Sequence, residues 1–272
     1  MLIRAGFEIA FECAAPTPML LRVHVHPDRQ GDLQQPEHLS TQPYTPYSTY
    51  IDGFGNRCTR LVAPAGALKL SNLLRIRDSG GRDAVPWGAK QAPVNELPDG
   101  VLSYLLGSRY CDTDALAAQA WVLFGRVEPG WTRVQAILDY THNRIQFGHD
   151  HARADRTASE SNREKKGVCR DFAHLAIALC RCMNIPARYC TGYLGDIGVP
   201  ADSVPADFSA WFEVFLGGQW HIADARHNKP RIGRILMARG RDAADAAIST
   251  AFGNAVLKNF QVVTDEVKPE QS

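Results

Sequence analysis

The sequence predicts an α+β protein, and three observations predict it. Apolar residues alternate with polar ones through much of the first ninety positions, the period of half-buried strands. Amphipathic helical patterns begin only at about residue 112. After the last helix comes an alternating run broken by Gly217-Gly218, a two-residue hairpin signal. Strands and helices are thus segregated along the chain rather than interleaved, which favours antiparallel sheets with helices on one side.

Taken in order, Phe7, Ile9 and Phe11 mark a first strand. Met19, Leu21, Val23 and Val25 form one face of a second, with Arg22, His24 and His26 mostly on the other. The two histidines lack a third ligand, so they are expected on an exposed strand face rather than in a metal site. Asp52-Gly53-Phe54-Gly55-Asn56 is a turn between two further strands. Residues 78 to 100 hold four glycines and three prolines and read as a linker or long loop. Asp112 or Asp114 is expected to cap a helix carrying Leu116, Ala120 and Leu123 that ends near Gly125. A second helix from about Trp131 places Val134, Ile137, Leu138, Thr141 and Ile145 on one side.

Composition sets the broad limits. The 272 residues suffice for one large domain or two smaller ones. With 45% hydrophobic and 22% charged residues and a formal charge of +1, no global field invites nucleic acid or an anionic membrane. Charges interrupt every apolar run of MLIRAGFEIAFECAAP, so neither a secretion leader nor a membrane span is expected. The seven cysteines are scattered and mostly lie in apolar runs, as expected of reduced thiols in a cytoplasmic protein. Cys180, Cys182 and Cys190 match no common zinc spacing, and no EF-hand pattern occurs, so neither metal nor cofactor is expected.

The chemistry concentrates at Gly167-Val168-Cys169-Arg170-Asp171. Phe172, Leu175, Ala176, Leu179, Cys180 and Met183 then form one apolar helical stripe, closed by Asn184 and stopped before Pro186. Cys169 therefore sits in a first helical turn, where unpaired N–H groups and the helix dipole are expected to favour a thiolate and to receive an oxyanion. Taken alone, it reads more readily as a buried structural cysteine. The hairpin around Gly217-Gly218 changes the balance. Its register puts Trp211 opposite Asp224, so Ser209, Trp211, Glu213 and Asp224 share a face. A histidine at 209 would be well placed to donate its orienting hydrogen bond to Asp224. The sequence has serine there.

These segments (GVCRDFAHLAIALCR, IPARY, TGYLGD and DFSAWFEVFLGGQWHIADARHN) resemble the transglutaminase-like superfamily in its bacterial branch of cysteine proteases. The match is close over about 167–228. The resemblance implies a papain-like core, a helix bundle packed on an antiparallel sheet, preceded by a β-rich, sandwich-like domain. It divides the chain into 1–92 and 93–272, with a last strand at about 256–267 returning to the first domain. It also implies a Cys–His–Asp triad in which Cys169 is the nucleophile and Asp224 the orienting acid. Trp211 and Asp171 match motif positions around the site and are the binding candidates.

The usual triad histidine corresponds to Ser209, whose hydroxyl cannot serve as a base near neutral pH. Four other places hold histidines that bear on the site. His221 should face away from Asp224. His227 has the wrong parity if the strand continues, but Pro230 ends it soon and a loop could return the imidazole. His149 and His151 precede the nucleophile helix and could reach the cleft from a loop. His174 lies about 140° around the helix from Cys169 and points to a packing role. The function expected is a hydrolase or acyltransferase acting on peptide or protein amide bonds through a Cys169 thioester. The alternative is a catalytically impaired scaffold that binds peptide or protein without turnover. No nucleic acid, membrane or metal partner is implied.

Overall fold

The computed structural model describes residues 1–200 and 206–268. The first 77 residues supply six strands: β1 (Leu2–Cys13), β2 (Thr17–Leu21), β3 (Ser40–Gln42), β4 (Tyr47–Ile51), β5 (Arg57–Ala63) and β6 (Gly66–Arg77). Then come α1 (Asp99–Leu102), α2 (Thr113–Phe124), α3 (Trp131–Arg144), the short β7 (Gln146–Phe147), α4 (Ala158–Glu164) and β8 (Lys166–Gly167). The helix α5 (Cys169–Cys182) leads into β9 (Ala187–Tyr193), β10 (Ser209–Leu216), β11 (Gln219–Ala223), β12 (Ile235–Gly240), β13 (Ser249–Ala251) and β14 (Ala255–Glu266).

Two four-stranded sheets, ordered β14-β1-β6-β3 and β13-β2-β5-β4, share one core built from Ile3, Ile9, Met19, Leu21, Leu70 and their neighbours. β13 and β14 come from the end of the chain, and β14 pairs antiparallel with β1 from Ala255 to Glu266. The second core fills the space between α2, α3 and α5 and the antiparallel sheet β11-β10-β9-β12. Among the described residues, no helix is long and apolar enough to cross a membrane.

The second run of alternation behaves differently from the expectation. β2 stops at Leu21, and His24 and His26 are 1% and 3% exposed, not on a solvent face. Local hydrogen bonds make this burial tolerable. His24 Nε2 bonds Thr59 Oγ1 at 2.9 Å, and its Nδ1 lies 3.5 Å from the buried Glu37 carboxylate. Glu37 in turn accepts from the Val25 N–H and the Asn72 amide. His26 Nδ1 accepts from the Asp28 N–H. Alternation alone cannot separate an exposed polar face from one buried among polar partners.

In α2 the buried stripe is Leu116, Ala120 and Phe124, while Leu123 is exposed. Asp112 stands at the N-cap position, but its carboxylate bonds the N–H and hydroxyl of Ser159 instead, tying α2 to α4. α3 buries Val134, Ile137, Leu138 and Thr141 as its periodicity dictates. α5 is enclosed on nearly every side, with Asp171 through Cys182 all buried. Ala210, Phe212, Val214 and Leu216 of β10 belong to the core packed on that helix. The β10–β11 turn uses Gly217 at φ 59° and Gly218 at φ 82°, both left-handed, as the favoured two-residue hairpin requires.

Close packing of β9 against β12 sets a strict limit at Gly192. A Cβ there would stand 2.0 Å from the Ile235 carbonyl oxygen. Gly192→Ala must therefore push two paired strands apart, at a cost of about 2–3 kcal/mol. Thermal unfolding of the variant should show the midpoint falling by roughly 5–10 °C.

Candidate active site

Asp171 builds the start of α5. Its carboxylate accepts the Val168 N–H at 2.8 Å and a hydrogen bond from Arg156 Nη1 at 3.0 Å, in a fully buried position. Burial raises its pKa, against the pull of the Val168 N–H and of Arg170 and Arg156. Gly167 is needed for room, because a Cβ there would lie 2.6 Å from the Asp171 Cβ. Its backbone is not left-handed, so space and not a sharp turn explains the glycine.

Cys169 is half-buried, whereas the other six cysteines are buried and all seven are free. Its Sγ lies 4.0 Å from the Phe208 carbonyl oxygen. Desolvation around the sulfur pushes the thiol up to about 11, Asp207 adding to it while Arg226 and the N–H groups of Ala210 and Arg170 oppose it. The expectation of a thiolate favoured by the helix terminus is corrected here. Desolvation outweighs the partial charge of one helix end.

Asp224 follows directly after β11, 6% exposed. Its Oδ2 accepts from His227 Nδ1 at 2.8 Å and from Arg234 Nη2 at 2.8 Å, and its Oδ1 accepts the His227 N–H at 3.0 Å. Burial would raise this carboxyl, but Arg234 and His227 hold it far below the usual carboxylate range. An ionised carboxylate only accepts, so the proton of this bond sits on His227 Nδ1, and Nε2 is the ring nitrogen left for other partners. The strand parity does not apply to His227, because residues 224–228 form a turn. The Asn228 N–H bonds the Asp224 carbonyl, and Asn228 adopts φ 48° while Gln135 and Asp139 of α3 hold its side chain.

Sequence inspection passed over Arg234 and Asp83. Arg234 lies 5.1 Å over the Trp211 ring and joins it to Asp224, while its Nε donates to Asp83 Oδ2 at 2.9 Å. Asp83 belongs to the stretch expected as a linker, and it also accepts the Arg231 N–H. Two arginines spaced by Ile-Gly in an otherwise strand-free segment were the available signal.

A cavity of about 1130 Å³ brings Cys169, Ser209, His227 and His149 to one wall system, with Arg226 and Asp207 beside them. Asp224 stands behind His227 and does not line it. Trp211 and Asp171 do not reach it either: Trp211 is buried with Cys190 and Leu236, and Asp171 caps its own helix. The Ser209 hydroxyl is buried without a hydrogen-bond partner. His221 Nε2 bonds the Leu216 carbonyl, and His151 Nδ1 the Gln146 carbonyl. His174 stacks on Tyr110, and its Nε2 accepts the Ala243 N–H.

This arrangement, a cysteine at the start of a buried helix beside an antiparallel sheet with a His–Asp pair at the sheet's end, belongs to a papain-like fold. Residues 120–225 match the family model of the transglutaminase-like superfamily. The crystal structure of a putative cysteine protease from Cytophaga hutchinsonii is 31% identical, covers 100% of this chain and 92% of its own, and superimposes with a TM-score of 0.85. An uncharacterized protein of Mycobacterium leprae is 36% identical over 84 residues, a match spanning 30% of either chain. The periplasmic domain of TgpA from Pseudomonas aeruginosa is 15% identical, with 82% of this chain and 90% of that one covered and a TM-score of 0.40. The chain belongs to the transglutaminase-like superfamily.

Two outcomes follow from these charges. Alkylation of Cys169 by iodoacetamide should accelerate with pH up to about 11, since only about one thiol in ten thousand is ionised at pH 7 when the pKa stands that high. A rate already level at pH 8 would contradict the burial argument. Asp224, with its folded pKa depressed, stabilises the fold above the unfolded carboxylate's value of about 3.9, and this contribution is lost as the pH falls below it. Asp224→Asn should cost about 2 kcal/mol at neutral pH, because the buried Arg234 loses one of its two carboxylate partners and keeps Asp83. The gap in melting temperature between the two proteins should be widest near pH 7 and narrow below pH 4.

Proposed function

We propose that the chain is a cysteine hydrolase or acyltransferase acting on peptide or protein amide bonds, with Cys169, His227 and Asp224 as its triad. One observation carries the proposal: His227 is clamped to Asp224 through Nδ1 and lines the same cavity as the Cys169 thiol. In this reading the histidine has moved from the strand position, now Ser209, to the turn after Asp224. The similarity to the Cytophaga hutchinsonii protein supports a peptide substrate.

The sulfur attacks the amide carbonyl carbon as its proton passes to His227 Nε2. Such concerted transfer suits a thiol that desolvation keeps protonated at rest. The Arg170 and Ala210 N–H groups, which already face the sulfur, are the nearest donors for the developing charge. Collapse expels the amine, which takes the proton from His227 and leaves a thioester on Cys169. Water or an amine then attacks the thioester, with His227 again the base, and the thiol is regenerated. Asp224 keeps the imidazole in its tautomer, and Arg234 positions Asp224.

We further propose that residues 1–92 and 93–272 are the two modules, with β14 completing the first. The two separate cores support that division. Seven unpaired cysteines support a reducing compartment such as the cytoplasm. A second reading, a scaffold that binds peptide without turnover, is favoured by the high thiol pKa and the orphaned Ser209 hydroxyl.

Release of amine from a peptide library separates the two. Cys169→Ala and His227→Gln should each lower it by at least about a thousandfold. Ser209→His should not restore the His227→Gln protein, because Arg234 still occupies the Asp224 carboxylate. Equal peptide binding by the native and Cys169→Ala proteins, with no amine released by either, would establish the scaffold.

A further inference from the structure

Among the described residues, Arg226 is a cation without an ion-pair partner. It lines the cavity that holds Cys169, and it opposes the rise in the thiol's pKa more than any other charge. Among the described residues, its guanidinium makes no hydrogen bond and no ion pair within 4 Å. The other arginine of the cavity wall, Arg231, is by contrast committed to the Gly195 carbonyl and the Asp196 carboxylate. Asp207 is close enough to feel Arg226 but forms no pair with it, and the Asp207 carboxylate takes the Phe208 N–H.

The side chain is nevertheless held in place. Its Cζ lies 3.8 Å from the centroid of the Phe147 ring. Phe147 is itself fixed beside the nucleophile: β7 pairs it with Gly167, and its ring packs against Phe172 at 6.4 Å. The Arg226 carbonyl accepts from His142 Nδ1 at 2.9 Å, which fixes the backbone. A half-buried guanidinium stacked on an aromatic ring keeps its N–H fork open toward the cavity, and that fork matches a carboxylate in a bidentate way.

We infer that Arg226 is a carboxylate-recognition residue, and that the amide cleaved is the last one before a free C-terminal carboxylate. The inference rests on the proposed thiol chemistry for the word cleaved, but not for the binding. With the carboxylate seated on Arg226, the scissile carbonyl lies toward Cys169, and the departing amine is a single amino acid. A protein partner is then engaged by its C-terminus, not along an internal loop.

The test compares two alkylating agents at Cys169 in the native protein at about pH 9, read by mass spectrometry, and needs no turnover. The thiolate displaces iodide from either agent, so its own pKa cancels from the ratio of rates. Iodoacetate, which carries a carboxylate, should react about tenfold faster than neutral iodoacetamide, the reverse of the order expected from like-charge repulsion. Arg226→Gln should abolish that preference. N-acetylglycine should protect Cys169 of the native protein from iodoacetamide, and N-acetylglycinamide should not. This comparison also decides the matter if the variant fails to fold. Faster reaction with iodoacetamide in the native protein, equal protection by the two acetyl compounds, or a preference that survives Arg226→Gln overturns the inference. A protein that shows the preference but releases no amine of any kind from peptides refutes the hydrolase and leaves the carboxylate site standing, whereas release of amine without free amino acid overturns the C-terminal placement.

Discussion

The second half of the molecule is organised around a single buried carboxylate. Asp224 is almost completely removed from water, so its charge survives only because Arg234 and His227 both donate to it. Arg234 ties that carboxylate to the Trp211 ring on the sheet and to Asp83 from the stretch that links the two halves. His227 ties it to the cavity. Removing Arg234 would leave the buried Asp224 charge without its cation, and removing His227 would strip it of two hydrogen bonds, which explains why segments distant in sequence converge on one point.

The thiol presents the opposite problem. α5 is buried almost throughout, which fixes Cys169 rigidly but strips water from its sulfur. The helix terminus and Arg226 recover part of that loss and not all of it. In the proposed mechanism the imidazole supplies the rest by taking the proton as the bond forms. Rigidity and a low thiol pKa are competing demands at this site, and in that mechanism the clamped His–Asp pair reconciles them.

In the proposed reading, serine at 209 has a physical consequence beyond the absence of an imidazole there. A histidine directed at Asp224 from that position would share it with Arg234, and the Asp224 oxygens already carry three hydrogen bonds. A small residue at 209 leaves this network undisturbed at the cost of one unsatisfied hydroxyl. The turn from Asp224 to Asn228 provides another route for an imidazole to the same carboxylate, and its shape depends on contacts with α3.

Local pattern alone determined the helix from Cys169, its end at Asn184 and the hairpin at Gly217-Gly218 with its register, because these follow from periodicity and residue type over short spans, while the family was legible only as a resemblance of the segments around them. The same information placed Leu123 on the buried side of α2 and His24 and His26 in solvent, where the structure has the reverse. A side chain's environment depends on partners such as Thr59 and Glu37 that lie far away in the chain. Only the tertiary structure decided which histidine meets Asp224, since strand parity says nothing once the chain turns. It alone revealed Arg234, Asp83 and Arg226, whose charges acquire meaning from burial and distance. The thiol's pKa belongs to the same class: a helix start is visible in a sequence, but the desolvation that overrides it is a property of the packed molecule.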